Sequence, residues 1–212
     1  MIRILIVDDH RLIRLSLQHL LQSTTIIQVI GEASTGKEAL QLAKQLKPDV
    51  ILLDIHLSES FSGIEVVRRL AKRSTTYCKI LIITSYDQSF VATRLLKAGA
   101  AGYLLKSADL SELISAIETV HAGKIYISPA VKKGLESSTM QSKPFLFDSL
   151  TTHEFEIMLL LVRGLKPKEV AELLSLSPKT ISNYKKKIYD KLNVKSDLEI
   201  VNLASKYQLL EI

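Results

Sequence analysis

The chain has 212 residues, of which 47% are hydrophobic and 24% charged, and its formal net charge is +6. This length allows two small domains, each with its own core. No apolar run approaches the roughly 18 residues that a membrane helix needs. The chain enters a strand pattern at Ile2 and carries a single cysteine, Cys78. We therefore expect no signal peptide, no internal disulfide, and a cytoplasmic protein without a membrane partner.

Residues 1–122 alternate between strand and helix patterns. Apolar runs rich in Val, Ile and Leu are typical of strands buried on both faces of a parallel sheet. They predict five strands, near residues 2–7, 26–33, 50–54, 79–84 and 102–105. Amphipathic helices are predicted at 11–22, 36–46, 63–72, 88–98 and 109–121. The apolar stripe of the first helix consists of Leu12, Leu15, Leu17, Leu20 and Leu21. The alternation predicts an α/β fold, a doubly wound five-stranded parallel sheet with strand order 2-1-3-4-5.

Residues 123–148 break this alternation and predict a linker. Ser128-Pro129 and Lys143-Pro144 supply the turn chemistry typical of connecting segments. A short helix over 125–131 is left open, and Phe145 and Phe147 are expected to pack onto the next domain. The predicted boundaries are a first domain over 1–122, a linker over 123–148 and a second domain over 149–212.

The second domain reads as four helices. Thr151 and Glu154 form a predicted capping box for a helix that extends to about residue 163, and a second helix spans 167–174. Ser177 is the predicted N-cap of a long third helix ending near residue 192. A capping box over 196–199 begins the last helix, which ends near residue 207. The pattern predicts an all-α helix-turn-helix module.

Polar residues end four of the predicted strands. The carboxyl ends of parallel strands meet at one edge of a sheet, where ligands bind, and this edge should gather Asp8, Asp9, Asp54, Thr84 and Lys106. Carboxylates in close approach favour a bound Mg²⁺, and one of them can act as a nucleophile toward a phosphoryl donor. The ammonium and the hydroxyl can stabilise the phosphoryl oxygens. The sequence therefore predicts a magnesium-dependent phosphoryl site rather than a loop of solvated carboxylates. His10, His19, His121 and His153 lack a spacing suited to a metal and are expected to be structural or solvent-facing.

The third helix of the second domain is basic. Residues 179–192 contain five lysines against one acidic residue, Asp190. One face carries the apolar positions Ile181, Ile188 and Leu192, with Tyr184 beside them. The other face predicts contacts with DNA, although such a run can also be a merely solvated surface. Ser182, Asn183 and Lys186 are predicted to face the bases, and Lys179, Thr180, Tyr184, Lys185 and Lys187 the phosphate backbone.

These motifs resemble the two-component response regulators in which a receiver domain precedes a LuxR-type helix-turn-helix, the NarL/FixJ group. The resemblance implies that Asp54 accepts phosphate from a histidine kinase. It implies that Asp8, Asp9, Asp54 and the backbone carbonyl of His56 hold Mg²⁺. The phosphoryl-binding and switch residues would be Thr84, Ser85, Tyr103 and Lys106. Double-stranded promoter DNA and a second copy of the chain, when phosphorylated or on DNA, are the further partners implied.

The chain departs from the family pattern near the phospho-acceptor. The usual D-x-x-M-P lacks its proline, because Ser58 stands there, and Gly63 arrives one residue late. The conformation of the loop Ser58–Ser62 is therefore left open. Ser107 replaces the proline that often follows the lysine, which puts a cis peptide there in doubt.

A finer resemblance concerns the motif from Ser177 to Tyr184, which reads S-P-K-T-I-S-N-Y, and the segment from Gly99 to Leu104. Both are similar to the GacA/UvrY/LetA subgroup. This resemblance implies a BarA- or GacS-type hybrid kinase as the phosphate donor. It also implies promoters of small regulatory RNA genes as targets.

Three alternatives compete with this hypothesis. The first is a response regulator that acts by protein–protein contact and whose DNA binding is vestigial. The second is a phosphohydrolase, which would need a general base beside Asp54 that the sequence does not supply. The third is a nucleotide-binding loop at Gly31–Lys37, which has the spacing G-x-x-x-x-G-K but is followed by Glu38 instead of Ser or Thr.

The last helix leaves a further choice open. Leu198, Val201 and Ala204 either form a small exposed apolar face for dimerisation on DNA or pack inside the module.

Overall fold

The computed structural model describes residues 1–55, 57, 63–73, 78–85, 89–133, 146–174, 176–207 and 209. The chain forms two compact units, Met1–Met140 and Gln141–Ile212, called here the first and second units. None of the helices among these residues is long and apolar enough to cross a membrane.

The first unit is a parallel sheet flanked by helices. Its strands are β1 (Ile2–Val7), β2 (Ile27–Ala33), β3 (Val50–Asp54), β4 (Lys79–Thr84), β5 (Gly102–Leu105) and β6 (Tyr126–Ile127). They are parallel in the order β2-β1-β3-β4-β5-β6. The helices are α1 (Arg11–Gln22), α2 (Gly36–Leu46), α3 (Gly63–Arg73), α4 (Ser89–Ala98) and α5 (Leu110–His121). Strand β3 is buried throughout, and β1 and β4 are buried except at Arg3 and Lys79, as their apolar runs predict. The predicted α/β class and the order of the first five strands are confirmed.

The sixth strand was not predicted. Its two residues lie in the segment assigned to the linker, where a helix over 125–131 had been left open, and the described helical turn spans only residues 129–133. Gly102 pairs with Tyr126 across β5 and β6. A Cβ atom at Gly102 would lie 3.2 Å from the Tyr126 carbonyl oxygen, so the glycine permits this close approach. A two-residue strand is too short to show a sequence period.

The predicted apolar stripe of α1 is wrong in part. Leu21 is fully buried and Leu17 packs against the same core. By contrast, Leu12, Leu15 and Leu20 are exposed. Because a helix turns about 100° per residue, these two sets of leucines lie on different faces.

The second unit is helical, as predicted. After a 3₁₀ turn at Leu146–Ser149 come α6 (Thr152–Val162), α7 (Pro167–Leu174), α8 (Pro178–Leu192) and α9 (Asp197–Lys206). Thr151 and Glu154 form the predicted capping box at α6, and Ser177 caps α8. At the start of α9, the Glu199 N–H donates to Ser196 Oγ, as expected for an N-cap. The Glu199 carboxylate accepts from the Lys195 N–H and not from the Ser196 N–H, so the predicted capping box is incomplete. Each cap satisfies helix donors that would otherwise lack partners.

The core of the second unit includes an aromatic residue from the segment predicted to be the linker. Phe147 is fully buried. Its ring meets Phe155 edge-on with centroids 6.0 Å apart, and Tyr207 at 5.4 Å. The expectation that Phe147 packs onto the second domain is confirmed, whereas Phe145 lies outside the described residues.

Candidate phosphoryl site and nucleic-acid interface

The strand register brings the predicted site residues together. Val7 of β1 pairs with Leu53 of β3, so Asp8 follows its strand beside Asp54. The side chains of Asp8 and Asp54 are only 3% and 2% exposed. With Asp9, whose side chain is 16% exposed, they form what is called here the acidic cluster. Short apolar strands thus place three carboxylates at one sheet edge.

Lys106 approaches the acidic cluster from the end of β5. Its Nζ lies 2.6 Å from Asp54 Oδ2 and 3.0 Å from Asp8 Oδ2. Burial by itself would lower the pKa of this ammonium, but the hydrogen bonds and charges of the two carboxylates outweigh burial, and the pKa of Lys106 is raised. The lysine therefore stays cationic at neutral pH.

The donor set of the acidic cluster fits a divalent cation. One ligand atom each of Asp8, Asp9, His10 and Asp54 lies within 4.8 Å of the others. Carboxylate oxygens are the ligands that Mg²⁺ prefers. One ammonium does not balance three carboxylates, so a cation would relieve their repulsion.

His10 was expected to face solvent or be structural, without a spacing suited to a metal; its exposure is confirmed, but the structure places it among the groups that could hold a metal. Its side chain is 59% exposed, but Nδ1 lies 2.8 Å from Asp9 Oδ1 and 3.4 Å from Asp8 Oδ1. The reason is local: His10 is the N-cap residue of α1, so the turn after β1 carries it back toward both carboxylates.

The predicted switch residues occupy different environments. Thr84 and Tyr103 are fully buried, whereas Ser85 is exposed. The Lys106 N–H donates to the Thr84 carbonyl at 2.8 Å, which fixes the start of the lysine loop beside the end of β4. Within the described part of the chain no peptide bond is cis, and this includes the bond to Ser107. His56 and the loop Ser58–Ser62 lie outside the described residues.

Arg14 contacts the site but was not predicted. Its Nη1 donates to the Asp8 carbonyl at 2.7 Å and to the Asp9 carbonyl at 3.2 Å, and its Nε lies 3.2 Å from Glu32 Oε2. The sequence did contain a signal for this role. Arg14 lies three positions before Leu17, so helical spacing places a charged residue on the face of α1 that packs against the core. The same contacts place Glu32 of the nucleotide-loop motif in an ion pair with Arg14.

A second unpredicted network joins β5 to the segment that follows α5. The Ser128 N–H donates to the Tyr103 carbonyl at 2.9 Å, and Ser128 Oγ accepts from the Leu105 N–H at 3.2 Å. Ser128 Oγ also donates to Glu112 Oε1 at 2.9 Å, as does the Tyr126 hydroxyl. The strand that leads into Lys106 is therefore hydrogen-bonded to residues assigned to the linker.

Helix α8 presents a basic surface in the second unit. Ile181, Ile188 and Leu192 are buried, as the sequence predicts. Of the eight predicted DNA contacts, the exposed ones are Lys179, Ser182, Asn183, Lys186 and Lys187, and the half-buried ones are Thr180, Tyr184 and Lys185. Exposed lysines with an amide and a hydroxyl on one helix suit both phosphates and base edges.

All three half-buried positions have partners inside the unit, and Thr180 Oγ1 lies 2.8 Å from Ser177 Oγ. Lys185 Nζ lies 2.7 Å from Asp197 Oδ1 and 2.8 Å from Asp197 Oδ2, while the Tyr189 hydroxyl also donates to Asp197. The Tyr184 ring meets the His153 ring edge-on with centroids 5.2 Å apart. To contact a DNA phosphate, Lys185 would therefore have to break its ion pair with Asp197.

The apolar residues of α9 divide between the two alternatives left open. Ala204 is fully buried inside the unit and Val201 is half-buried, whereas Leu198 is 69% exposed.

Family comparisons match both units. Residues 4–118 match the family described as "Response regulator receiver domain", and residues 148–204 match "Bacterial regulatory proteins, luxR family". The response regulator GacA of Pseudomonas aeruginosa is 38% identical, and the alignment covers 100% of this chain and 99% of GacA. The response regulator UvrY of Escherichia coli K12 is 36% identical, with 99% of this chain and 96% of UvrY covered.

A solved structure supports the fold. RcsB from Salmonella enterica serovar Typhimurium, bound to promoter P1flhDC in the presence of the phosphomimetic BeF₃⁻, matches with a TM-score of 0.77. The match covers 97% of this chain and 98% of that chain, at 22% identity. Since both family matches agree with the two units and full-length relatives exceed 35% identity, the chain belongs to the two-component response regulators, with a receiver domain joined to a LuxR-type DNA-binding domain that regulates transcription.

Proposed function

We propose that this regulator accepts a phosphoryl group on Asp54 from a histidine kinase, in a reaction that requires Mg²⁺, and that phosphorylation controls its binding to promoter DNA. The observation that carries the proposal is the ion pair between Lys106 Nζ and Asp54 Oδ2, 2.6 Å apart, beside two further carboxylates. A structural ion pair would need no such surplus of negative charge.

The chemistry follows from these positions. A carboxylate oxygen of Asp54 attacks the phosphorus atom, a new O–P bond forms, and the bond from phosphorus to the donor's imidazole nitrogen breaks, with its electron pair leaving on that nitrogen. Lys106 pairs with the developing charge on the phosphoryl oxygens. Thr84, the last residue of β4, would donate a hydrogen bond from its hydroxyl to one of these oxygens. Asp8, Asp9, Asp54 and the carbonyl of His56 would hold Mg²⁺, which supplies further neutralisation of the phosphoryl charge.

The phospho-acceptor assignment is tested by labelling with acetyl phosphate and Mg²⁺. Asp54→Asn should abolish incorporation, because the amide is not a nucleophile toward phosphorus, whereas Asp190→Asn, an exposed acid in the second unit, should label like the wild type. Intact labelling of Asp54→Asn would contradict the assignment.

We propose that α8 binds the DNA, with Ser182, Asn183 and Lys186 toward the bases. The flanking residues toward the phosphates are Lys179, Thr180, Tyr184, Lys185 and Lys187. The exposure of the lysines on one helix supports this proposal. It disfavours the alternative of a regulator whose DNA binding is vestigial.

Salt dependence separates these two alternatives. On a random-sequence duplex, Lys187→Ala should reduce the slope of log affinity against log salt by about 1. Lys206→Ala, an exposed lysine on α9, is the control and should leave the slope unchanged. A wild-type protein whose duplex affinity is independent of salt would favour regulation by protein contact alone.

We also propose the finer functional links. The similarity to GacA and UvrY supports a BarA- or GacS-type hybrid kinase as donor and promoters of small regulatory RNA genes as targets. Chromatin binding mapped in cells carrying wild-type protein or Asp54→Asn tests the assignment of the target promoters, because the sites lost in the variant identify the phosphate-dependent promoters. Sites equally occupied in the two strains would contradict phosphate control.

Dimerisation, when phosphorylated or on DNA, is part of the same proposal. The 69% exposure of Leu198 on α9 supports it, because a large apolar side chain on an otherwise polar helix end suits a self-complementary contact. Leu198→Lys should leave a monomer in sedimentation experiments on the phosphorylated protein.

A further inference from the structure

The Arg14 guanidinium donates to oxygen atoms of three residues, two of them adjacent in the chain. One nitrogen, Nη1, reaches the carbonyls of both Asp8 and Asp9, while Nε reaches the carboxylate of Glu32 on β2. Only 14% of the Arg14 side chain is exposed. Two successive carbonyls that accept from one nitrogen must converge, so the guanidinium fixes the backbone of the turn that carries two members of the acidic cluster.

The position of Arg14 on α1 argues against a role in stability alone. Arg14, Leu17 and Leu21 follow one another at helical spacing on the side where Leu17 and Leu21 join the core. Well-packed apolar residues at such positions are often as stabilising as buried ion pairs, or more so. An arginine there, while Leu12 and Leu15 face solvent, indicates that the guanidinium is needed for its contacts.

We propose that Arg14 is a positioning residue for the cation site: it holds the Asp8–Asp9 turn in the shape in which both carboxylates meet Asp54. This inference rests on the proposed function, because it concerns the divalent cation used in phosphorylation. The planar guanidinium supplies donors in fixed directions to three oxygens, which a lysine ammonium on a flexible stem cannot reproduce. The backbone N–H of His10 assists by donating to Asp8 Oδ1 at 2.8 Å.

The test measures cation binding directly, with Mn²⁺ alone as the probe and electron paramagnetic resonance of the free ion as the signal. In Arg14→Met the dissociation constant for Mn²⁺ should rise about ten-fold or more, the range seen when groups that orient metal ligands are removed. Arg14→Lys should recover only part of this loss. Arg11→Ala, an exposed arginine on the same helix, should bind like the wild type.

A purely structural role would give a different pattern. It would lower the melting temperature in EDTA while the folded protein kept its Mn²⁺ affinity, and that result would overturn the proposal, as would full recovery of affinity in Arg14→Lys. If Arg14→Met does not fold, Arg14→Lys decides alone: weakened Mn²⁺ binding supports the proposal and wild-type binding overturns it.

The proposed function fails in a distinguishable way. In that case the wild type itself would bind no Mn²⁺ or would label without a divalent cation, and the inference about Arg14 would fail with it. The proposed function and the inference about Arg14 are both supported if only the Arg14 variants lose Mn²⁺ affinity and labelling still depends on Asp54.

Discussion

The two units of the chain use charge in opposite ways. In the first unit, Asp8 and Asp54 are buried and share one lysine at a sheet edge. In the second unit, the lysines of α8 lie mainly on the surface, and the fully buried side chains of that helix are apolar. The acidic cluster concentrates charge where water is excluded, and α8 spreads its charge where water and salt screen it.

This difference sets the size of the effect expected from single substitutions. Buried charges interact strongly and leave a costly uncompensated group when one partner is removed. Exposed charges contribute small, nearly independent and salt-dependent amounts. We therefore expect the first unit to depend on a few charged atoms, and the second to depend for its stability on its apolar core.

Phe147 provides the largest effect expected in the second unit. Phe147→Ala removes a fully buried ring that contacts Phe155 and Tyr207, and should lower the free energy of unfolding of the second unit by about 4 kcal/mol. Phe147→Leu, which keeps most of the volume, should cost about 1 kcal/mol. Hydrogen exchange resolved by peptide measures each unit separately. Equal loss of protection in the first unit would contradict the independence of the two cores.

Lys106 is the corresponding residue of the first unit. Lys106→Met leaves Asp54 and Asp8 buried without their cation, and should lower the free energy of unfolding of this unit by about 3 kcal/mol at neutral pH without divalent metal. Addition of Asp54→Asn should restore most of the loss, because a single buried carboxylate of the pair then remains. Lys97→Met, an exposed lysine on α4, is the control and should change stability by less than about 0.5 kcal/mol. A loss that Asp54→Asn does not reduce would show that packing, not charge, is responsible.

Most of the fold and the main site could be predicted because apolar periodicity reports burial. The strands that end in Asp54, Thr84 and Leu105 were predicted within a residue of their ends, and parallel topology alone then brings their following side chains to one edge. The helix caps at Thr151 and Ser177 were predictable for a similar reason, since a cap is a contact between residues three apart.

The unpredicted parts are contacts between distant segments. The contact between Arg14 and Glu32 depends on the packing of α1 against β2. The hydrogen bond between Ser128 and Leu105 depends on the pairing of β6 with β5. Helical spacing places Lys185 on the apolar side of α8 and Lys186 on the opposite side. It does not show that the partner of Lys185 is Asp197, twelve residues further along the chain. A pattern shows which positions are buried, but side-chain partners across the fold depend on the packing of whole elements.

Glu154 provides the smallest effect, and it sharpens the comparison because it is a buried charge in the second unit. Its carboxylate accepts from the Thr151 N–H at 2.7 Å and from Lys191 Nζ at 2.6 Å. Burial opposes ionisation, but Lys191 and the hydrogen bonds from Thr151 outweigh it and hold the pKa of Glu154 below its usual range. The carboxylate therefore stabilises the folded state above the pKa of the unfolded chain, and this contribution is lost as the pH falls through the lowered pKa of the folded state.

Glu154→Gln should lower the free energy of unfolding of the second unit by about 1.5 kcal/mol at pH 7. The gap between variant and wild type should close as the pH falls through the lowered pKa of Glu154 in the folded state, because the wild-type carboxylate is then protonated. Denaturant unfolding at several pH values measures the gap. Glu169→Gln is the matched control, since Glu169 accepts from the Lys166 N–H at the start of α7 but is exposed. A difference between Glu154→Gln and wild type that stays constant with pH would contradict this prediction. It would mean that the hydrogen-bond geometry of the cap, and not the charge of Glu154, stabilises α6. Charge at this buried position would then not contribute to stability as it does in the acidic cluster.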